Sequence, residues 1–252
     1  MISERHPSLA PTDFHPRLPA WAHRFVRYQL AWRLTWLGWL CLILAGGIIV
    51  SLWYFLGESF LSETSRLPAD VLVVDGWIGL EGIHAAAAEF TNPAYGYRYV
   101  VTVGGNTASR WDNRHGNYAE MARGELIRAG IPADRTIKAP FGDDQKQRTF
   151  ASANAVSRAL QDLNFQPKGL NVFTLGPHAA RSRLVFAKVF GRSTKVGVIG
   201  WRPADYTNSP WWQSSERAKD LLVETIGFFS EFVFDAGRRG ELPSKTSAYP
   251  SR

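Results

Sequence analysis

From Leu34 to Gly57 the chain carries no charged side chain, and within that stretch WLGWLCLILAGGIIVSLWYF is apolar apart from Ser51. The run is long enough to cross a hydrocarbon layer of roughly 30 Å, and a soluble core helix rarely stays uncharged for so long. Trp36 and Trp39 near one end and Trp53, Tyr54 and Phe55 near the other suit the two interfacial belts, where an aromatic ring sits half wet. A cleaved signal peptide is the competing reading, but its apolar region spans roughly 7 to 15 residues behind a short basic start. Here a long leader precedes a longer apolar run, and no small-x-small site directly follows it. The sequence therefore predicts an uncleaved transmembrane helix over residues 34–57, with the membrane as a partner of the chain.

The flanks predict its orientation. Arg5, Arg17, Arg24, Arg27 and Arg33 precede the span, whereas Arg66 stands alone in the stretch that follows it. By the positive-inside rule, residues 1–33 form a basic cytoplasmic leader, and everything from Glu58 onward faces the periplasm or the cell exterior. The expected location is a bacterial inner (plasma) membrane crossed once. Five of the positive charges behind the net +7 thus serve topology. The remaining basic residues form no block interleaved with aromatics, which argues against nucleic acid. The single cysteine, Cys41, lies within the span, so the exported part has neither a disulfide nor thiolate chemistry.

Past a linker over residues 58–68, apolar runs alternate with amphipathic stretches, the pattern of β-α units that build a parallel sheet. Asp70 to Asp75 reads as a strand buried on both faces, and Tyr97 to Val103, Thr136 to Lys138, Leu170 to Thr174 and Lys195 to Ile199 as four more. Helices are predicted from about Leu80 to Phe90, after an Asn117 cap to Gly130, from about Thr149 to Leu163, from His178 to Phe190, and from about Ser214 to Phe234. The last of these is expected to pack on the sheet through Leu221, Leu222, Ile226, Phe229 and Phe232. A return of that helix to the membrane surface is the alternative, against which stand Glu216, Asp220, Glu224, Glu231 and Asp235. Residues 237–252 are expected to be a disordered tail. The predicted class is α/β, a three-layer Rossmann-like sandwich with a mostly parallel sheet of about five strands.

Open parallel sheets bind ligands at the carboxyl ends of their strands. Four segments lie there: Asp75-Gly76-Trp77; Gly104-Gly105-Asn106 with the polar loop behind it; Arg148-Thr149; and Gly176-Pro177-His178 with Arg181. His178 and Arg181 fall three apart on one helix face at a helix start, where free amides favour an anion. The bland reading is a helix opened by Pro177, capped by His178, with Arg181 paired to a surface acid. Adjacent glycines let a backbone approach a ligand, and they also mark ordinary turns. Asp75 is a candidate general base or a carboxylate bonded to loop amides. Asp112 and His115 resemble part of a metal or acid/base set without a metal-site spacing, so no metal ligands are assigned. Ser182 lacks a nucleophile-elbow context.

The same positions carry a resemblance to the ElyC/SanA/YdcF (DUF218) family. The corresponding stretches are Val73-Val-Asp-Gly-Trp77, Val103-Gly-Gly105, Gly130-Ile-Pro132, Arg148-Thr149 and Thr174-Leu-Gly-Pro-His-Ala-Ala-Arg181, which resembles the family's strand running into Thr-x-x-Tyr-His-x-x-Arg. The chain departs from the pattern at Asp75-Gly76-Trp77, at Val103 in place of serine, at Pro177 in place of tyrosine, and at Tyr118, Ala151 and Ser152 where acids or an asparagine are usual. It looks like a divergent subgroup whose family-like domain covers residues 69–236. The resemblance implies a setting in envelope biogenesis, meaning the cell wall or surface polysaccharide.

The expected function is a membrane-anchored factor that binds an anionic, phosphorylated envelope precursor or lipid carrier at the strand ends. Ligand contacts are expected from Gly76, Gly104, Gly105, Asn106, Thr149, Gly176, His178 and Arg181. If the protein is an enzyme, Asp75 is the general base and His178 the acid or oxyanion stabiliser of phosphoester or pyrophosphate hydrolysis. Two alternatives stay open: a non-catalytic scaffold of an envelope assembly, and a nucleotide or adenosyl-cofactor binder. The second conflicts with the predicted orientation, because such cofactors are cytoplasmic. No particular cofactor or protein partner follows from the residues.

Overall fold

The computed structural model of the chain describes residues 19–29, 31–107, 116–142, 147–207 and 209–233. The chain divides into two compact units, Met1–Tyr54 and Phe55–Arg252. Most of the loop containing Arg110, Asp112, Arg114 and His115, the core of the loop at 142–147, the first part of the leader and the tail at 237–252 lie outside the described residues.

Within the first unit, β1 (Val26–Gln29) and β2 (Ala31–Leu34) form an antiparallel hairpin that pairs Val26 with Leu34 and Gln29 with Ala31. The leader therefore holds local structure that its arginines gave no reason to expect. Thr35 follows directly. Its hydroxyl donates to Arg24 O at 2.9 Å and accepts from Gly38 N at 3.2 Å, satisfying a first-turn amide of the next helix. That helix, α1 (Trp36–Leu61), has a mean hydropathy of 2.2 over its most apolar window and is long and apolar enough to cross a membrane. At 1.5 Å per residue it measures about 39 Å. It continues past Gly57 for about one more turn, which carries Glu58.

The second unit holds a six-stranded sheet. Its strands are β3 (Thr64–Ser65), β4 (Val71–Asp75), β5 (Tyr99–Gly104), β6 (Thr136–Pro140), β7 (Gly169–Leu175) and β8 (Lys195–Trp201), in the order β3-β8-β7-β4-β5-β6. Five are parallel, and β3 pairs antiparallel with β8 at the edge, Thr64 opposite Ile199. The expected α/β class and mostly parallel sheet are present. The sixth strand comes from the segment read as a linker. Asn171, fully buried on β7, ties that segment down: its amide accepts from Leu67 N at 3.1 Å and donates to Leu67 O at 2.8 Å and to Tyr97 Oη at 2.9 Å.

Five helices complete the unit: α2 (Gly79–Thr91), α3 (Tyr118–Arg128), α4 (Arg148–Asp162), α5 (Ala179–Phe190) and α6 (Ser215–Val233). Strand side chains alternate between two apolar clusters, as the two-residue period of a strand requires. Val71, Val73, Val101, Val103 and Val172 meet Ala153, Val156 and Leu160 of α4 and Val185 and Phe186 of α5. Leu72, Val74, Val100 and Phe173 meet Ile83, Ala86 and Phe90 of α2 and Ala122 and Leu126 of α3. Asn117 caps α3 as its position predicts, its side chain accepting from Glu120 N at 2.8 Å. Asn117→Ala is expected to cost about 1 kcal/mol in a urea unfolding titration; an unchanged midpoint would remove the cap from the account.

The last helix departs from expectation. It packs beside α5 and against the 3-10 turn Gly176–His178, not on the sheet. Only Arg217 and Leu221 of α6 are fully buried, while Leu222, Ile226, Phe229 and Phe232 are exposed. The apolar periodicity identified the helix correctly, but the face it buries is a different one.

Candidate functional site

In sheet order the chain passes from β4 outward through β5 to β6, then returns with β7 on the other side of β4. The crevice beyond the ends of β4 and β7 is thus the topological switch point, where loops diverge and leave room for a ligand. Asp75 ends β4. Thr174 lies near the end of β7, followed by the turn carrying His178 and by Arg181 in the first turn of α5. A cleft of about 390 Å³ opens there, its wall including Asp75, Trp77, Tyr118, Arg148, Thr149, Ser152, His178, Arg181, Asp220 and Glu224.

Of the residues expected to act together, Asp75, Thr149, His178 and Arg181 reach this cleft. The glycines do not line it. A Cβ on Gly76 would run into Tyr118 O, one on Gly104 would stand 2.5 Å from Tyr118 Cβ, and one on Gly105 2.8 Å from the Phe141 ring. Gly76 and Gly104 let the first turn of α3 close onto the strand ends, and Gly105 makes room for Phe141. Asn106 forms a backbone bridge with Asn117, and Gly176 lies buried in the turn before His178.

The centre of the cleft is a charge cluster built by α5 and α6. Arg181 lays its guanidinium fork on Glu224, Nε to Oε2 at 2.7 Å and Nη2 to Oε1 at 2.8 Å. His178 Nδ1 stands 3.0 Å from Glu224 Oε1. Arg181 Nη2 also lies 3.1 Å from Nδ1. Arg181 Nη2 already donates to Glu224 Oε1, so a proton on Nδ1 lets the carboxylate accept from both groups and leaves Nε2 for chemistry. Burial by itself would raise the Glu224 carboxyl, but His178 and Arg181 outweigh it and hold it at about 2. The Trp77 ring meets the imidazole edge to face with centroids 5.3 Å apart, fixing its plane.

Asp75 is the opposite case. It is 4% exposed, and burial pushes its carboxyl above the usual range against the pull of His178 and a 2.6 Å hydrogen bond donated by Thr174 Oγ1. Asp220, on the α6 wall, is likewise raised, first by burial and then by Glu224, against the pull of Lys219. In the same cleft α4 begins with Arg148 and Thr149, and its N-cap residue, Gln147, makes no side-chain hydrogen bond to the first amides. Those amides and the exposed Arg148 favour an anion. Among the described residues, no three His, Cys, Asp or Glu side chains converge as a metal site.

The arrangement offers one imidazole held by a carboxylate, one buried carboxyl of raised basicity, and a cationic helix start in the same cleft. Glu224, Thr174, Ser152 and Asp220 were not expected from the sequence to act as site residues. Glu224 lies 46 residues from His178, and helical spacing says which residues share a face without saying what that face meets. Compared with known proteins, the chain matches no family model and no curated sequence.

Proposed function

We propose that this protein is a membrane-anchored envelope-biogenesis factor of the ElyC/SanA/YdcF (DUF218) type that binds a phosphorylated ligand at the β4/β7 strand ends and hydrolyses its phosphoester or pyrophosphate bond. The reading rests on one observation above all: the Glu224-held imidazole of His178 and the buried Asp75 share a cleft with Arg148 and Thr149 at the start of α4. In this reading the second unit is a three-layer Rossmann-like sandwich, a view supported by the two apolar clusters on alternating strand residues. The arginines of the leader support a cytoplasmic amino terminus, an α1 that spans the inner membrane, and a periplasmic or extracellular cleft.

The chemistry follows from the two perturbed groups. Asp75, its basicity raised by burial, takes a proton from a water whose oxygen attacks phosphorus. The bond from phosphorus to the leaving oxygen breaks, and that oxygen receives the Nε2 proton of imidazolium His178, whose charge Glu224 stabilises. Arg148 and the α4 amides hold the phosphoryl oxygens. Arg181 acts through Glu224, which occupies its fork.

A thermal-shift titration of the full-length protein in detergent micelles tests the binding step. Pyrophosphate, a polyprenyl phosphate and a glycan-linked polyprenyl pyrophosphate are the probes, with Arg148→Ala beside the parent. A bound phosphate at about 100 times its dissociation constant is expected to stabilise by roughly 2.7 kcal/mol, with the gain lost in Arg148→Ala. No shift with any of the three would end the phosphate reading and favour a scaffold role.

A further inference from the structure

The outward face of α6 is apolar. Leu222 is 58% exposed, Ile226 71%, Phe229 46% and Val233 64%, and at 100° per residue these four form one stripe. Lys219, also exposed, flanks the stripe one turn before it. The acids that argue against a lipid contact are turned elsewhere: Asp220 and Glu224 line the cleft, and Glu231 lies 3.5 Å from Lys188 Nζ. Glu216 sits in the first turn, ahead of the stripe.

What covers this stripe is indicated by the last turns of α1, which belong to the same compact unit. Glu58 Oε1 accepts from Arg217 Nη2 at 2.6 Å, and the Phe60 ring meets Phe228 edge to face at 5.4 Å. Phe228 in turn contacts Phe229 and Phe232, so the apolar surface of α6 runs without a break onto Phe60, beside the exposed Phe55 and Leu56. Arg217 and Phe228 are separated by about 16 Å along α6, whereas Glu58 and Phe60 are separated by about 3 Å along α1. α6 therefore meets the end of α1 at one place and does not run beside it. It presents Phe, Ile, Leu and a lysine outward, the composition of an interfacial helix.

We infer that α6 is a second membrane contact, resting its Leu222, Ile226, Phe229 and Val233 stripe in the lipid interface beside the point where α1 leaves the bilayer. The inference rests on the reading of α1 as a membrane span and is independent of any reaction in the cleft. It reverses the sequence-based preference for a helix buried on the sheet.

The test uses the full-length chain in liposomes containing doxyl-labelled lipid. An environment-sensitive fluorophore is attached in turn to native Cys41, to Ile226→Cys in a Cys41→Ser background, and to Asp134→Cys in the same background, beyond the opposite edge of the sheet. The probe on Cys41 and that on Ile226→Cys are expected to lose most of their emission, while the Asp134→Cys probe keeps its own. Quenching at Cys41 without quenching at Ile226→Cys would overturn the α6 contact and leave the anchor standing; no quenching at either would remove the anchor and the inference together. An Ile226→Cys chain that is shielded yet unquenched, and that cross-links to itself on oxidation, would assign the stripe to a second copy of the chain.

Discussion

Glu224→Gln is expected to lower the stability of the second unit by about 3 kcal/mol at neutral pH, measured as a fall in the urea midpoint of the full-length protein in detergent. The carboxylate accepts from Arg181 twice and from His178 once, and its side chain is 12% exposed. Glutamine keeps the shape but removes the charge that a largely buried guanidinium needs. The pH dependence identifies the cause. Because the folded carboxyl is depressed to about 2 from 4.5, its contribution is fully present above 4.5 and is lost as pH falls from there through about 2. Parent and variant should therefore converge toward pH 2 and differ by the full amount above pH 4.5. A constant gap across that window would mean that packing, and not the charge cluster, carries the loss.

Turnover is the second large effect. His178→Ala is expected to reduce kcat on pyrophosphate or an aryl phosphate by roughly 10²- to 10⁴-fold, the usual weight of a positioned proton donor. KM should change little, because in the proposed reading Arg148 and the start of α4 would hold the phosphoryl group apart from His178. The split between the two constants matters. A rise in KM with kcat intact would make His178 a binding group only, and unchanged values for both would place the chemistry elsewhere.

Much of the second unit was legible because its strands are buried on both faces. Val71 to Asp75 reads as a strand since a run of valine and leucine of that length suits a strand with every residue buried, and Asn117 reads as a cap since its side chain has one obvious use before an apolar helix. Short or long-range features were hidden. The pair Thr64–Ser65 is too brief to show a two-residue period, yet it closes the β8 edge. The hairpin Val26 to Leu34 lies among arginines whose topological meaning is the stronger signal.

The cleft divides along the same line. Asp75, His178 and Arg181 were visible because the ends of parallel strands are where residues escape the core. Glu224 was not, since its role depends on how α6 docks. Gly76 and Gly104 have a packing use that the sequence did not show: a missing Cβ permits close approach of any atom, and here that atom belongs to Tyr118.

Because α6 gives Asp220 and Glu224 to the cleft and its opposite face to the interface, a substrate carried on a lipid would reach His178 by lateral diffusion in two dimensions. Its effective concentration would then be set by its mole fraction in the leaflet. Diluting the bilayer with inert lipid at constant total substrate would slow such a reaction, whereas the same dilution would leave hydrolysis of a water-soluble phosphate untouched.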